Sequence, residues 1–115
     1  MATRVTLRLD FDAGRKLGPG KIALLEAIRE TGSISAAGRV HEMSYRRAWL
    51  LVEALNAMFA EPLVVARPGG AGGGGAALTA AGERVVALYR EAERKTRAGA
   101  AAEIARIEKA LSETH

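Results

Sequence analysis

Residues 33–51 read SISAAGRVHEMSYRRAWLL, and the spacing of their apolar side chains decides the fold. Ile34, Ala37 and Val40 recur every three residues, which fits a short helix over residues 34–40. Ser33 stands at its start and offers a side-chain oxygen to backbone N–H groups that have no partner in the first turn. His41, Glu42 and Met43 form a turn, and Ser44 then caps a longer helix that runs to about Phe59. On that helix Ala48, Leu51, Val52, Leu55 and Phe59 share one side, the side that faces a core. Arg46, Leu50, Glu53 and Ala57 lie opposite, with Arg47 and Trp49 on the flanks. A short helix, a tight turn and a longer helix make a helix-turn-helix.

Outward from this unit the pattern extends in both directions. Upstream, Ile22, Leu24, Leu25 and Ile28 fall on one helical side from Lys21 onward, and Gly32 can take the left-handed conformation that stops the helix. The stretch DAGRKLGPG, residues 12–20, reads as a turn. Before it RVTLRLDF, residues 4–11, alternates, with Val5, Leu7, Leu9 and Phe11 on one face of a half-buried strand. Downstream, PLVVARP at 62–68 is β-prone, and six of the seven residues from 69 to 75 are glycine, which suits the tip of a two-stranded wing. Thr79 caps a fourth helix whose apolar positions are Val85, Val86, Leu88, Tyr89 and Ala92. Helical composition continues through residues 97–115, where Ile104, Ile107 and Leu111 keep spacings of three and four and Gly99 marks a break or a bend. The expected fold is mostly α with a small β-hairpin wing, a winged helix-turn-helix with a long C-terminal helix. A winged helix-turn-helix domain is expected over residues 1–97 and a C-terminal helical extension over 98–115.

The totals restrict the function. At 115 residues the chain has room for one domain. Aromatic residues are only 4% against 49% hydrophobic, so alanine, leucine and valine carry the packing. A formal net charge of +4 and a pI of about 10.0 favour polyanionic partners. There is no cysteine, which removes disulfides and thiolate chemistry together. The N-terminal residues lack the apolar core of a signal peptide, and no apolar run approaches the roughly 20 residues of a membrane span. A cytoplasmic location and no membrane partner follow. The only histidines, His41 and His115, and the acidic pair Asp10 and Asp12 form no cluster with metal or catalytic spacing, so neither enzyme nor cofactor is expected. The glycine run is followed by Ala76 and Ala77, without the lysine and hydroxyl residue of a phosphate loop.

What remains is the outer side of the third helix. Arginine there can bond guanine O6 and N7 with two donors, and apolar groups can meet a thymine methyl. Arg46 and Arg47 suit the first role or a phosphate, Trp49 and Leu50 the second, and the Ser44 hydroxyl with the helix N–H groups can hold a phosphate. Arg67, at the base of the wing, suits the DNA backbone. Any one of these residues is equally well a solvated or core-covering side chain; grouped on one element, they favour DNA. The rival is a protein-interaction module in which Trp49 and Leu50 are interface anchors. Val85, Leu88, Tyr89 and Ala92, continued by Ile104, Ile107 and Leu111, give more apolar surface than one small domain covers. A homodimer through the C-terminal helix is expected.

Four segments, LGPGKIALLEAIRETGSISAAGR, MSYRRAWLLVEALN, EPLVVARPGGAGGGGAALTAAGE and LYR, together resemble the DNA-binding domain of the molybdate-responsive ModE-type transcriptional regulators, related to the LysR-type winged helix. The resemblance covers about residues 17–90. It implies a dimeric transcription regulator of double-stranded DNA, with Ser33 and Ser35 at the second helix start, Ser44, Tyr45, Arg46, Arg47 and Trp49 in the third helix, and Arg67 in the wing. Glu42 stands in the turn where the family usually has glycine, which demands an awkward backbone there. The C-terminal oxyanion-binding domains of such regulators have no counterpart in these residues, so the chain reads as a stand-alone DNA-binding version. Direct molybdate binding is not expected, and no small-molecule effector is identified.

Overall fold

In the computed structural model, which describes residues 3–68 and 75–112, four of the five helices begin where the sequence relieves their unpaired N–H groups. Helix α1, Pro19–Thr31, opens on a proline that has no N–H to leave orphaned. Ser33 caps α2, Ile34–Val40, by accepting from the Ala36 N–H, and Ser44 caps α3, Tyr45–Met58, by accepting from the Arg47 N–H. Thr79 caps α4, Ala80–Gly99, through the Gly82 N–H. Helix α5, Ala101–Ala110, has no side-chain cap. Gly32 takes the left-handed stop at φ 72°.

The alternating N-terminal segment keeps its in-and-out pattern but forms little ladder. Only β1, Leu9–Asp10, pairs, antiparallel to β2, Lys16–Leu17. Val5, Leu7 and Leu9 are half-buried, whereas Phe11, expected on the same buried face, is 41% exposed. The chain reverses immediately after Asp10, with Ala13 and Gly14 at φ 56° and 73°. This carries Phe11 out to the hairpin tip, away from the core. Residues 12–20 are therefore more than a turn: they supply β2 and the first residues of α1.

Helix α1 runs through the centre of the core, with Ile22, Leu24, Leu25 and Ile28 fully buried against Ala37 of α2 and Ala48, Val52 and Leu55 of α3. Where α2 crosses α3, a Cβ on Gly38 would stand 3.1 Å from the Ala48 Cβ and 3.4 Å from the Met43 carbonyl oxygen. Small residues at both positions permit that close approach. The turn between the helices places Glu42 at φ 55°, the left-handed position expected to suit glycine, while the Met43 N–H donates back to the Gly38 oxygen at 2.9 Å.

The wing pairs β3, Val64–Arg67, antiparallel with β4, Gly75–Leu78, in the register Val64↔Leu78 to Arg67↔Gly75. The glycine-rich wing tip expected from the sequence falls largely on residues 69–74, outside the described residues. The Ala76 N–H donates to the Gly32 oxygen at 2.9 Å, tying the wing to the α1–α2 joint. A Cβ on Gly82 would stand 2.3 Å from the Leu63 oxygen, so only glycine lets α4 start against the wing.

Helix α4 buries Val86 and Tyr89 but leaves Leu88 64% exposed, contrary to a core position. Leu88 lines an open hollow with Phe59, Ala60, Glu61 and Leu63. Arg90 clamps α4 to α1, donating from Nε and Nη2 to the two carboxylate oxygens of Glu26 at 3.0 and 2.7 Å. Those bonds hold the Glu26 carboxyl below its usual pKa, against the opposing effect of burial. The long C-terminal helix is interrupted at Ala100 (φ −106°, ψ 11°), which separates α4 from α5. No side chain of α5 is buried, and Ile107 and Leu111 are exposed. The Thr3 hydroxyl donates to the Glu108 carboxylate and brings the N-terminal segment against α5. Among the described residues no helix is long and apolar enough to cross a membrane.

Candidate nucleic-acid interface

Ser44 determines the chemistry at the start of α3. Its hydroxyl engages the Arg47 N–H at 3.1 Å and its carbonyl the Ala48 N–H at 3.0 Å. The N–H groups of Tyr45 and Arg46 are left without an intrahelical acceptor. No acidic residue occupies this first turn. The helix N-terminus is thus electropositive twice over, through its dipole and through Arg46 and Arg47. Among the described residues, neither arginine forms an ion pair, nor do Arg39 and Arg67.

The exposed face of α3 divides the sequence-predicted residues between two hollows. Tyr45 and Trp49 turn toward the wing and, with Ser33, Ser35 and Val65, line a groove of about 530 Å³ between α3 and β3. Trp49 is 42% exposed there. Ser33 and Ser35 sit at the groove's end with their hydroxyls 3.0 Å apart. On the other flank Ser44, Arg46, Arg47 and Leu50 surround a shallower hollow of about 250 Å³. Arg67 is exposed on β3 opposite Gly75 and lines neither hollow.

Two contributors are not singled out by the sequence. Val65 faces outward from β3 into the groove, a position assigned only by strand register. Asn56 fixes the angle of the wing: its Oδ1 accepts from the N–H groups of Leu63 and Val64 at 2.8 and 3.1 Å, and its Nδ2 donates to the Val64 oxygen at 3.0 Å. Asn56 follows Trp49 by seven residues and so shares its flank, which marks it in the sequence as a polar group on the wing side. His41 has a structural place, with Nε2 3.2 Å from the Ala23 oxygen. Among the described residues no group of three or more histidine, cysteine or acidic side chains could hold a metal.

A helix-turn-helix with this order of elements has known counterparts. The profile of the bacterial regulatory helix-turn-helix proteins of the LysR family matches residues 20–83. The molybdenum-pterin-binding protein MopB of Rhodobacter capsulatus is 48% identical over 99 residues, covering 86% of this chain and 35% of its own. The molybdenum transport protein ModE of Azotobacter vinelandii is 47% identical over 94 residues, 80% of this chain and 35% of its own. The DNA-binding transcriptional dual regulator ModE of Escherichia coli K12 is 36% identical over 89 residues, 77% of this chain and 34% of its own. The chain spans about a third of the length of these relatives.

Proposed function

Since the chain belongs to the LysR-type family of bacterial regulatory helix-turn-helix proteins, we propose that it binds duplex DNA through α3 and regulates transcription as a homodimer. The observation that carries this reading is the start of α3: a serine-capped, acid-free helix end whose two arginines have no acidic partner among the described residues and project beside exposed Tyr45, Trp49 and Leu50. Seated in a major groove, Arg46 and Arg47 reach guanine edges or phosphate, and Leu50 meets thymine methyls. Ser44 and the free N–H groups hold one phosphate. Ser33, Ser35, Tyr45 and Trp49 border the path of the backbone between α3 and the wing, and Arg67 follows it along β3.

Residues 1–97 form the DNA-binding unit in this reading, and 98–115 serve dimerisation, because Ile107 on α5 and Leu111 just past its end are exposed and the helix buries nothing of its own. A ten-residue helix in water is marginal without such a cover. Two α3 helices then lie about 34 Å apart, one duplex turn. The names of the relatives concern molybdenum, and we assign this chain to the same regulatory setting, in the cytoplasm.

Selection of bound fragments from a random duplex pool tests the reading. Enrichment of a two-fold-symmetric site, with affinity falling steeply as salt rises, is the expected result. Binding that is absent, or indifferent to salt, refutes it and favours a module docking through Tyr45, Trp49 and Leu50.

A further inference from the structure

The flank of α3 turned away from the wing continues past Arg47 into a second basic surface. Ala54 and Ala57 follow Arg47 by seven and ten residues, roughly 10 and 15 Å along the axis at 1.5 Å per residue. With Met58 they form one wall of a hollow of about 210 Å³, and the facing wall is Gly14, Arg15, Lys16 and Lys21. Its cations come from two elements, Lys16 from β2 and Lys21 from the first turn of α1. The Lys21 Nζ donates to the Lys16 carbonyl at 2.7 Å, which holds the ammonium beside Lys16 with no other hydrogen bond among the described residues. Neither lysine is in an ion pair among the described residues. Arg15 differs, being tied to Asp12 and to the Met58 oxygen. Ala54 and Ala57 carry nothing longer than a methyl group beside the two lysines, and Met58 closes the end of the wall, so an anion can approach over the alanines.

The spacing along α3 matches a duplex. The major groove is about 12 Å wide, and the far end of a reading helix meets the backbone that bounds it. With Arg46 and Arg47 at one edge, the opposite edge falls beside Ala54 and Ala57. We propose that Lys16 and Lys21 form a second phosphate clamp, gripping the DNA strand that borders the groove on the side away from the wing. The first hairpin then mirrors the second, and α3 is held between two backbone contacts. This deepens the DNA-binding reading of α3 and rests on it.

The test is the K16Q/K21Q variant of the full chain, titrated with a mixed-sequence duplex of about three helical turns between roughly 50 and 200 mM salt. Each lost phosphate contact lowers the slope of log K against log salt by about 0.9, so the double variant binds with a slope shallower by about 1.8. Relative affinities for different sequences stay as in the parent, and K16R/K21R keeps the parent slope. The single variant K16Q, which removes no hydrogen bond made by a side chain, loses about 0.9 and serves if the double variant unfolds. A parent that binds with a salt-dependent slope and a variant with that same slope overturn the clamp alone. A changed sequence preference also overturns it, assigning the lysines to bases. A parent with no salt-dependent binding refutes the α3 reading and the clamp with it.

Discussion

Replacing Asn56 with alanine cuts the side-chain hydrogen bonds that, among the described residues, join α3 to the start of the wing. Two buried donors, the N–H groups of Leu63 and Val64, and one acceptor, the Val64 oxygen, lose a partner together. Leu63 is 0% and Val64 5% exposed, so water does not readily replace the amide. At about 1 kcal/mol per bond, and more for a buried donor left unmade, N56A costs about 2–3 kcal/mol. For a domain of this size that is roughly a 10 °C fall in Tm. N56D is the informative companion. It keeps both accepted bonds but sets a carboxylate oxygen, in place of the donating amide, against the Val64 oxygen, so it is also less stable than the parent. Urea unfolding followed by circular dichroism measures both. Trp49, the only tryptophan, lines the groove with Val65 and reports wing docking through its emission, which shifts to the red in N56A. An N56A midpoint within about 0.5 kcal/mol of the parent refutes the argument that this amide holds the wing.

Other perturbations probe separate features. R46A or R47A costs about 1–3 kcal/mol of DNA affinity and relaxes one base pair of the selected site if the arginine is bidentate to guanine; an even loss across sequences assigns it to phosphate. E42G relieves a left-handed glutamate, gaining about 1–2 kcal/mol of strain against about 0.5–1 kcal/mol of glycine entropy. Its urea midpoint rises slightly, and a fall shows that Glu42 contributes elsewhere. E26Q tests the α1–α4 clamp. Bonds from Arg90 depress the Glu26 carboxyl, so its stabilisation is present above the ordinary value of 4.5 and disappears as pH falls through the lower folded value. Discounted for the exposure of Arg90, the variant loses about 1 kcal/mol at pH 7, and the difference from the parent closes as the pH falls through that lowered value.

The arginines, tryptophan and serine cap of the interface are legible because caps and helical phase are local. Ser33, Ser44 and Thr79 each satisfy a donor three residues away, and no tertiary contact is needed to locate them. Which hollow each residue enters is less legible. Helical phase places Trp49 and Asn56 on one flank of α3, but only the path of β3 makes that flank a groove.

Sequence alone therefore determined the succession of helices, their buried faces, the turn at Glu42 and the wing, since periodicity, capping and backbone preference act over a few residues. Tertiary structure decided the rest. It brought Lys16 and Lys21 beside Ala54 and Ala57, joined Asn56 to Leu63 and Val64, left Phe11 and Leu88 outside the core, and divided the last helix at Ala100. Those outcomes depend on where distant segments meet, and the local hydrophobic pattern is the same whether or not a partner segment arrives to cover it.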